Sequence, residues 1–259
     1  MNTSLVTAPE TVDLGIGTDV RACLFDLDGV LTRTQKVHAA AWKEMFDDYL
    51  RARAKRAVRP FLPFDPVADY AEYVDGKPRY DGVRSFLQAR AINLPNGDPA
   101  DPPNAETVAG LGNRKNEIVQ CMIEKAGVEP YQGSVRFVEA ARRAGLRCAV
   151  VSSSRNARKV LAAAGIAGLF EQVVDGEFGE QEGLRGKPAP DFFLACAREL
   201  AIAPPEAAVF EDALAGVEAG RAGGFGRVVG VDRFGQADEL RRHGADIVVS
   251  DLVELLASP

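Results

Sequence analysis

The stretch "VRACLFDLDGVLT", Val20 to Thr32, constrains the fold more than any other part of the chain. Between Val20 and Phe25 only Arg21 is charged, and the run stops at two carboxylates, Asp26 and Asp28, with Gly29 directly behind them. A short apolar run bounded in this way reads as a strand buried on both faces, inside a parallel sheet covered by helices. In open parallel sheets ligands sit outside the carboxyl ends of the strands, so this end of the strand is where chemistry is expected.

The rest of the sequence repeats the alternation of apolar runs and amphipathic stretches that builds such a sheet. Strands are predicted at Ala22–Leu27, Cys148–Ser152, Val173–Asp175, Ala207–Phe210, Arg227–Val231 and Asp246–Val249. Helices are predicted at Ser134–Ala144, Ala157–Ala164, Asp191–Leu200, Ala213–Ala222 and Ala237–His243. Gly145, Gly165, Gly223 and Gly244 stand where these helices should stop, as glycine at a left-handed helix end would.

One interval breaks the pattern. From Gln35 to Tyr131 the sequence reads as helical without a strand, and "LPNGDPADPPNAE", Leu94 to Glu106, interrupts it with a proline-rich loop. A loop of that length is expected to be either mobile or functional. The economical reading is an α-helical cap, residues 35–131, inserted into a Rossmann-like α/β core made of residues 20–34 and 132–259. Residues 1–19 show no period and read as a loose leader.

Composition narrows the function classes. A net charge of −6 and the lack of a basic stripe argue against a nucleic-acid partner. "RARAKR", Arg51 to Arg56, reads as a solvated helix face. No apolar run is long enough to span a membrane, and the four cysteines, Cys23, Cys121, Cys148 and Cys196, lie too far apart to form a metal-type pair. The expectation from composition is a cytoplasmic protein.

Four features fall at strand ends or helix starts: Asp26/Asp28, Ser152, Lys187 and Glu211/Asp212. Carboxylates converging in one cleft repel unless a cation sits among them, and hard oxygen donors with few histidines select Mg²⁺. A divalent ion also suits a phosphorylated substrate. Taken alone, Glu211-Asp212 is equally an acidic cap on the helix that follows, and Ser152 to Ser154 are equally a helix cap.

In this order, "DLDGVLT", "VVSSS", "GKPAPD" and "FEDALAG" resemble the haloacid dehalogenase superfamily of phosphotransferases, over nearly the whole chain from Val20. The resemblance implies that Asp26 is the nucleophile and that Asp28 is the general acid/base. It implies that Ser152 and Lys187 bind the transferring phosphoryl group, and that Asp26, Asp28, Glu211 and Asp212 hold Mg²⁺. Dehalogenase members lack the second aspartate, so Asp28 favours phosphoryl transfer.

Four further stretches resemble the β-phosphoglucomutase branch. "TRTQKVHAAAWKEMF" places His38 near the general acid/base, with Trp42 as packing support. "GLGNRKNEIV" points Lys115 and Asn116 at the sugar. "SSSRNA" sets Ser153, Ser154, Arg155 and Asn156 at a second phosphate, which Arg79 of "GKPRYDG" clamps from the cap. Arg155 stands where that pattern usually has lysine, and Ser153 where it has a small apolar residue. The segment Arg51 to Asp75 is longer than in compact mutases and puts the exact sugar in question. The implied function is Mg²⁺-dependent interconversion of β-glucose 1-phosphate and glucose 6-phosphate through glucose 1,6-bisphosphate. A sugar-phosphate phosphatase is the alternative, and a non-catalytic sugar-phosphate sensor is disfavoured by the intact motifs.

Overall fold

The structure is a computed structural model that describes residues 14–256. Six parallel strands form one sheet: β1 (Ala22–Phe25), β2 (Arg147–Val151), β3 (Gln172–Val174), β4 (Ala207–Glu211), β5 (Arg227–Val231) and β6 (Ile247–Val249). Their spatial order is β3-β2-β1-β4-β5-β6, so β1 is central and pairs with both β2 and β4. The chain winds outward from β1 to β3 and then returns to β1's other side at β4. That reversal opens a crevice at the carboxyl ends of β1, β2 and β4.

Side-chain alternation explains why the strands read as continuous apolar runs. Cys23 and Phe25 face one cluster, with Val150, Phe210 and Phe137, while Ala22 and Leu24 face another, with Val151, Val209 and Phe193. Phe25 stacks on Phe210 at 4.5 Å between ring centroids and meets Phe137 edge-on at 6.2 Å. Helices α4 (Gln132–Arg143) and α5 (Ala157–Ala163) supply residues to the first cluster. Helices α7 (Asp191–Glu199) and α8 (Leu214–Ala222) supply residues to the second. The α/β fold with helices on both faces is the expected one.

Residues 1–13 of the expected leader lie outside the described residues. Leu14 and Ile16, from its remainder, are buried in the first cluster, so packing begins ahead of Val20. The strand ends also shift: β1 stops at Phe25, before Leu27, and β4 runs on to include Glu211. A short helix that the sequence reading lacks, α6 (Gly176–Gln181), is started by Asp175, whose carboxylate accepts from the amides of Glu177 and Phe178. The left-handed glycine after α8 is Gly224, with φ +67°, rather than Gly223. Gly145, Gly165 and Gly244 do take positive φ as expected.

Between β1 and α4 lie α1 (Gln35–Ala57), a five-residue π-helical turn at Tyr70–Val74, α2 (Arg79–Ala89) and α3 (Val108–Ala126). They share a hydrophobic cluster of their own around Phe46, which packs against Trp42, Phe64 and Phe86. Most of the segment 51–75 is exposed, and it buries Phe64, Tyr70 and Val74 in this cluster. It completes α1, and the Phe64 amide donates to the buried carboxylate of Asp47 at 2.7 Å. The proline-rich loop is fastened to the start of α3. Thr107 caps the helix and donates to Asp101 at 2.6 Å, and Asn113 donates to the carbonyls of Pro99 and Asp101.

Candidate active site

The end of β1 delivers Asp26 between β2 and β4, where its amide donates to the Phe210 carbonyl at 2.9 Å. The Lys187 ammonium reaches its carboxylate at 2.5 Å and also bonds Glu211, at the end of β4. Burial opposes the charge on Lys187, but these two carboxylates outweigh it and raise its pKa. Burial likewise pushes Asp26 up to about 6, against the pull of Lys187, and Glu211 up to about 7. The Glu211 carboxylate also accepts from the amides of Asp212 and Ala213.

Asp212 sits opposite Gly29. A Cβ on Gly29, whose φ is +90°, would lie 1.8 Å from Asp212 Oδ2, so only glycine permits the two loops to approach this closely. Asp26, Glu211 and Asp212 each bring a carboxylate oxygen within 4.8 Å of the others. Asp212 Oδ2 is buried and finds no hydrogen-bond partner among the described residues. Burial, with Asp75 and Asp26 adding repulsion, holds the Asp212 carboxyl well above the usual range. A buried oxygen without a donor, in a cluster with excess negative charge, fits a hard divalent cation.

On the other side of the cavity a chain of side chains runs from α3 to Asp28. The Lys115 ammonium donates to His38 Nδ1 at 2.9 Å and lies over the Trp42 ring at 4.8 Å. That bond places the imidazole proton on Nε2, which faces Asp28 Oδ1 at 3.5 Å. Burial, reinforced by Lys115, holds the His38 pKa well below its ordinary value, so the ring is neutral. Burial brings Lys115 down to about 7, although Asp28 works in the opposite direction. Asp28, raised by burial, also accepts from the hydroxyl of Thr34.

One cavity is lined by Asp26, Asp28, His38, Arg79, Lys115, Asn116, Ser152 to Asn156 and Asp212 together. The structure thus gathers nearly every residue that the sequence motifs single out, and Lys187 and Glu211 stand directly behind Asp26. Arg79 Nε is buried without a partner among the described residues. Four residues make contacts that differ from those expected. Asn116 and Asn156 bond each other at 2.8 Å, across α3 and the loop after β2. Arg155 pairs with Glu180 at 3.4 Å while still bordering the cavity. The Ser153 hydroxyl donates to the Gly76 carbonyl at 2.8 Å.

Sequence reasoning missed Tyr70 and Asp75, which also line the cavity. Burial raises Asp75 to about 7, against a hydrogen bond from the Tyr70 phenol. The only signal was a carboxylate directly before a glycine, at the end of the extended segment.

The haloacid dehalogenase-like hydrolase family matches residues 20–224. β-Phosphoglucomutases of Mycobacterium bovis and Mycobacterium tuberculosis are 58% identical over 246 residues, covering 94% of this chain and 94% of each relative. The β-phosphoglucomutase of Bacillus subtilis is 33% identical, over 91% of this chain and 92% of its own. The crystal structure of β-phosphoglucomutase from Clostridium difficile shares the fold, with a TM-score of 0.71, 24% identity and coverage of 91% and 93%. The chain belongs to the haloacid dehalogenase-like hydrolase family. Within that family it is an enzyme of the phosphotransferase type. Among the described residues no helix is long and apolar enough to cross a membrane.

Proposed function

We propose that this enzyme is a β-phosphoglucomutase, converting β-glucose 1-phosphate to glucose 6-phosphate through a phosphorylated Asp26 and glucose 1,6-bisphosphate. The observation that carries the reading is the Lys115–His38–Asp28 chain, which brings residues of two helices onto the carboxylate beside the nucleophile. A phosphatase has no need of that chain, and the 58% identity to two β-phosphoglucomutases points the same way. We treat residues 35–131 as a cap on a core of residues 20–34 and 132–259. The protein would act as a cytoplasmic monomer, without nucleic-acid or membrane partners.

In the first half-reaction the C6 hydroxyl of β-glucose 1-phosphate attacks the phosphorus carried by Asp26. The bond from phosphorus to the Asp26 oxygen breaks, and Asp28 takes the hydroxyl proton. The bisphosphate turns round. Asp26 then attacks the C1 phosphate, the bond to the C1 oxygen breaks, and Asp28 returns its proton to that oxygen. Lys187 offsets negative charge at Asp26 and on the phosphoryl oxygens, and Ser152 supplies a hydroxyl at the end of β2. Arg79, with its unpartnered Nε, meets the non-transferring phosphate together with Arg155 and the Ser154 region.

The carboxylates of Asp26 and Asp212 and the backbone carbonyl of Asp28 would hold Mg²⁺, with Glu211 supporting them. When bound, the ion would neutralise charge on the transferring phosphoryl group. Neutral His38 holds Asp28 in register through Nε2–H, and Lys115 fixes the tautomer.

A trace of glucose 1,6-bisphosphate carrying labelled phosphate tests the covalent route directly. Label should appear on the protein, be lost in Asp26→Asn, and chase into glucose 6-phosphate on adding β-glucose 1-phosphate. Failure of the label to chase would contradict the reading. In Arg79→Ala, KM for β-glucose 1-phosphate should rise at least about tenfold, with little change in phosphoryl transfer from a small acyl phosphate. Equal losses in both assays would remove the clamp role.

The Lys115 pKa of about 7 gives a signed pH expectation. Below that pH the ammonium is intact and donates to His38; above it the donor weakens and kcat/KM falls. Lys115→Arg keeps its charge, so its alkaline limb should move upward even if the absolute rate is lower. A limb that stays in place would assign the titration to another group.

A further inference from the structure

Ser153 departs from the mutase pattern, and its hydroxyl is turned away from a phosphate role. It donates at 2.8 Å to the carbonyl of Gly76, a residue 77 positions earlier in the chain, between the π-helical turn and α2. Gly76 adopts φ +68° and lies close against the core. A Cβ there would stand 3.2 Å from Ala213 Cβ and 3.8 Å from Lys187 Cδ. The turn 75–76 therefore rests on three core segments at once: the loop after β2, the loop after β4 and the Lys187 loop. Asp75 opens the turn and Arg79 follows it, and both line the cavity.

We infer that Ser153 is a positioning residue, whose hydroxyl seats the Asp75–Gly76 turn on the core and so sets where Arg79 stands and how well water is excluded. The Asn116–Asn156 bond, with Gln120 donating to Asn156 at 3.2 Å, ties α3 to the same loop after β2 independently of Gly76. Loss of Ser153's hydroxyl accordingly loosens one tie and leaves the other in place. The kinetic part of this inference rests on the mutase reading; the structural part does not.

The test compares the parent, Ser153→Ala and Ser153→Thr. Alanine removes the hydroxyl and keeps the backbone amide; threonine restores the donor. One ordinary hydrogen bond shifts an open–closed equilibrium about fivefold. In Ser153→Ala, hydrogen exchange of a peptide spanning 70–79 should be about fivefold faster, with the 108–126 peptide unchanged. A general loss of stability would accelerate both peptides. With Mg²⁺ and β-glucose 1-phosphate, free phosphate released per glucose 6-phosphate should rise by a similar factor, KM should rise, and threonine should reverse both.

Unchanged exchange at 70–79, or faster exchange with an unchanged product ratio, overturns the assignment. If the parent itself makes phosphate and no glucose 6-phosphate, the mutase reading fails. The local exchange result then decides the role of Ser153 alone.

Discussion

Asp26→Asn should lower formation of glucose 6-phosphate by at least about 10⁴-fold, the scale seen when a covalent nucleophile is removed. The substitution keeps an oxygen at the position that Lys187 reaches at 2.5 Å, so the loss would be chemical rather than structural. Stability should move the other way. Burial raises the Asp26 pKa above its unfolded value, to about 6, so the folded state favours the protonated carboxyl. The stabilising preference is complete below the unfolded pKa and is lost as pH rises through about 6, which leaves an ionised carboxylate at pH 7 as a liability. With chelator present, Asp26→Asn should therefore melt no lower than the parent at pH 7. A variant that is inactive because it unfolds would contradict this account of the site.

Gly29→Ala should cost about a hundredfold in rate, although it touches no reacting atom. The added Cβ would collide with Asp212 Oδ2 at 1.8 Å, and φ +90° is strained for any L side chain. Either the loop bearing Asp26 and Asp28 moves or Asp212 does. A displacement of about 1 Å at a catalytic group costs on the order of a hundredfold in rate. Calorimetric titration with Mg²⁺ should show weaker binding in the same variant, and kcat/KM should fall by about that factor. Parent-like values in both measurements would show that Asp212 is not held where the structure places it.

The sheet was legible because β1, β2, β4 and β5 are covered on both faces, and full burial writes itself as an apolar run. The acidic motif residues were legible because Asp26, Asp28, Glu211 and Asp212 stand at the ends of such runs, while Ser152 and Lys187 were legible only through the order of the motifs. Helix α6 was not legible. Its six residues, "GEFGEQ", contain two glycines and too few apolar positions to show a period, and it depends on the Asp175 cap. Nor were the partners of Ser153, Asn116 and Asn156. A motif gives each residue a class of chemistry, but contacts between segments far apart in sequence, such as Ser153 to Gly76, follow from the tertiary packing. Asp75 was hidden similarly: it follows no strand, and only tertiary packing brings it to the cavity.

The most direct measurement incubates the enzyme with Mg²⁺, β-glucose 1-phosphate and a trace of glucose 1,6-bisphosphate, following glucose 6-phosphate and free phosphate in one tube. A phosphomutase predicts glucose 6-phosphate without a matching release of phosphate. Stoichiometric phosphate with no glucose 6-phosphate would contradict it, and would make the Lys115–His38–Asp28 chain part of a phosphatase.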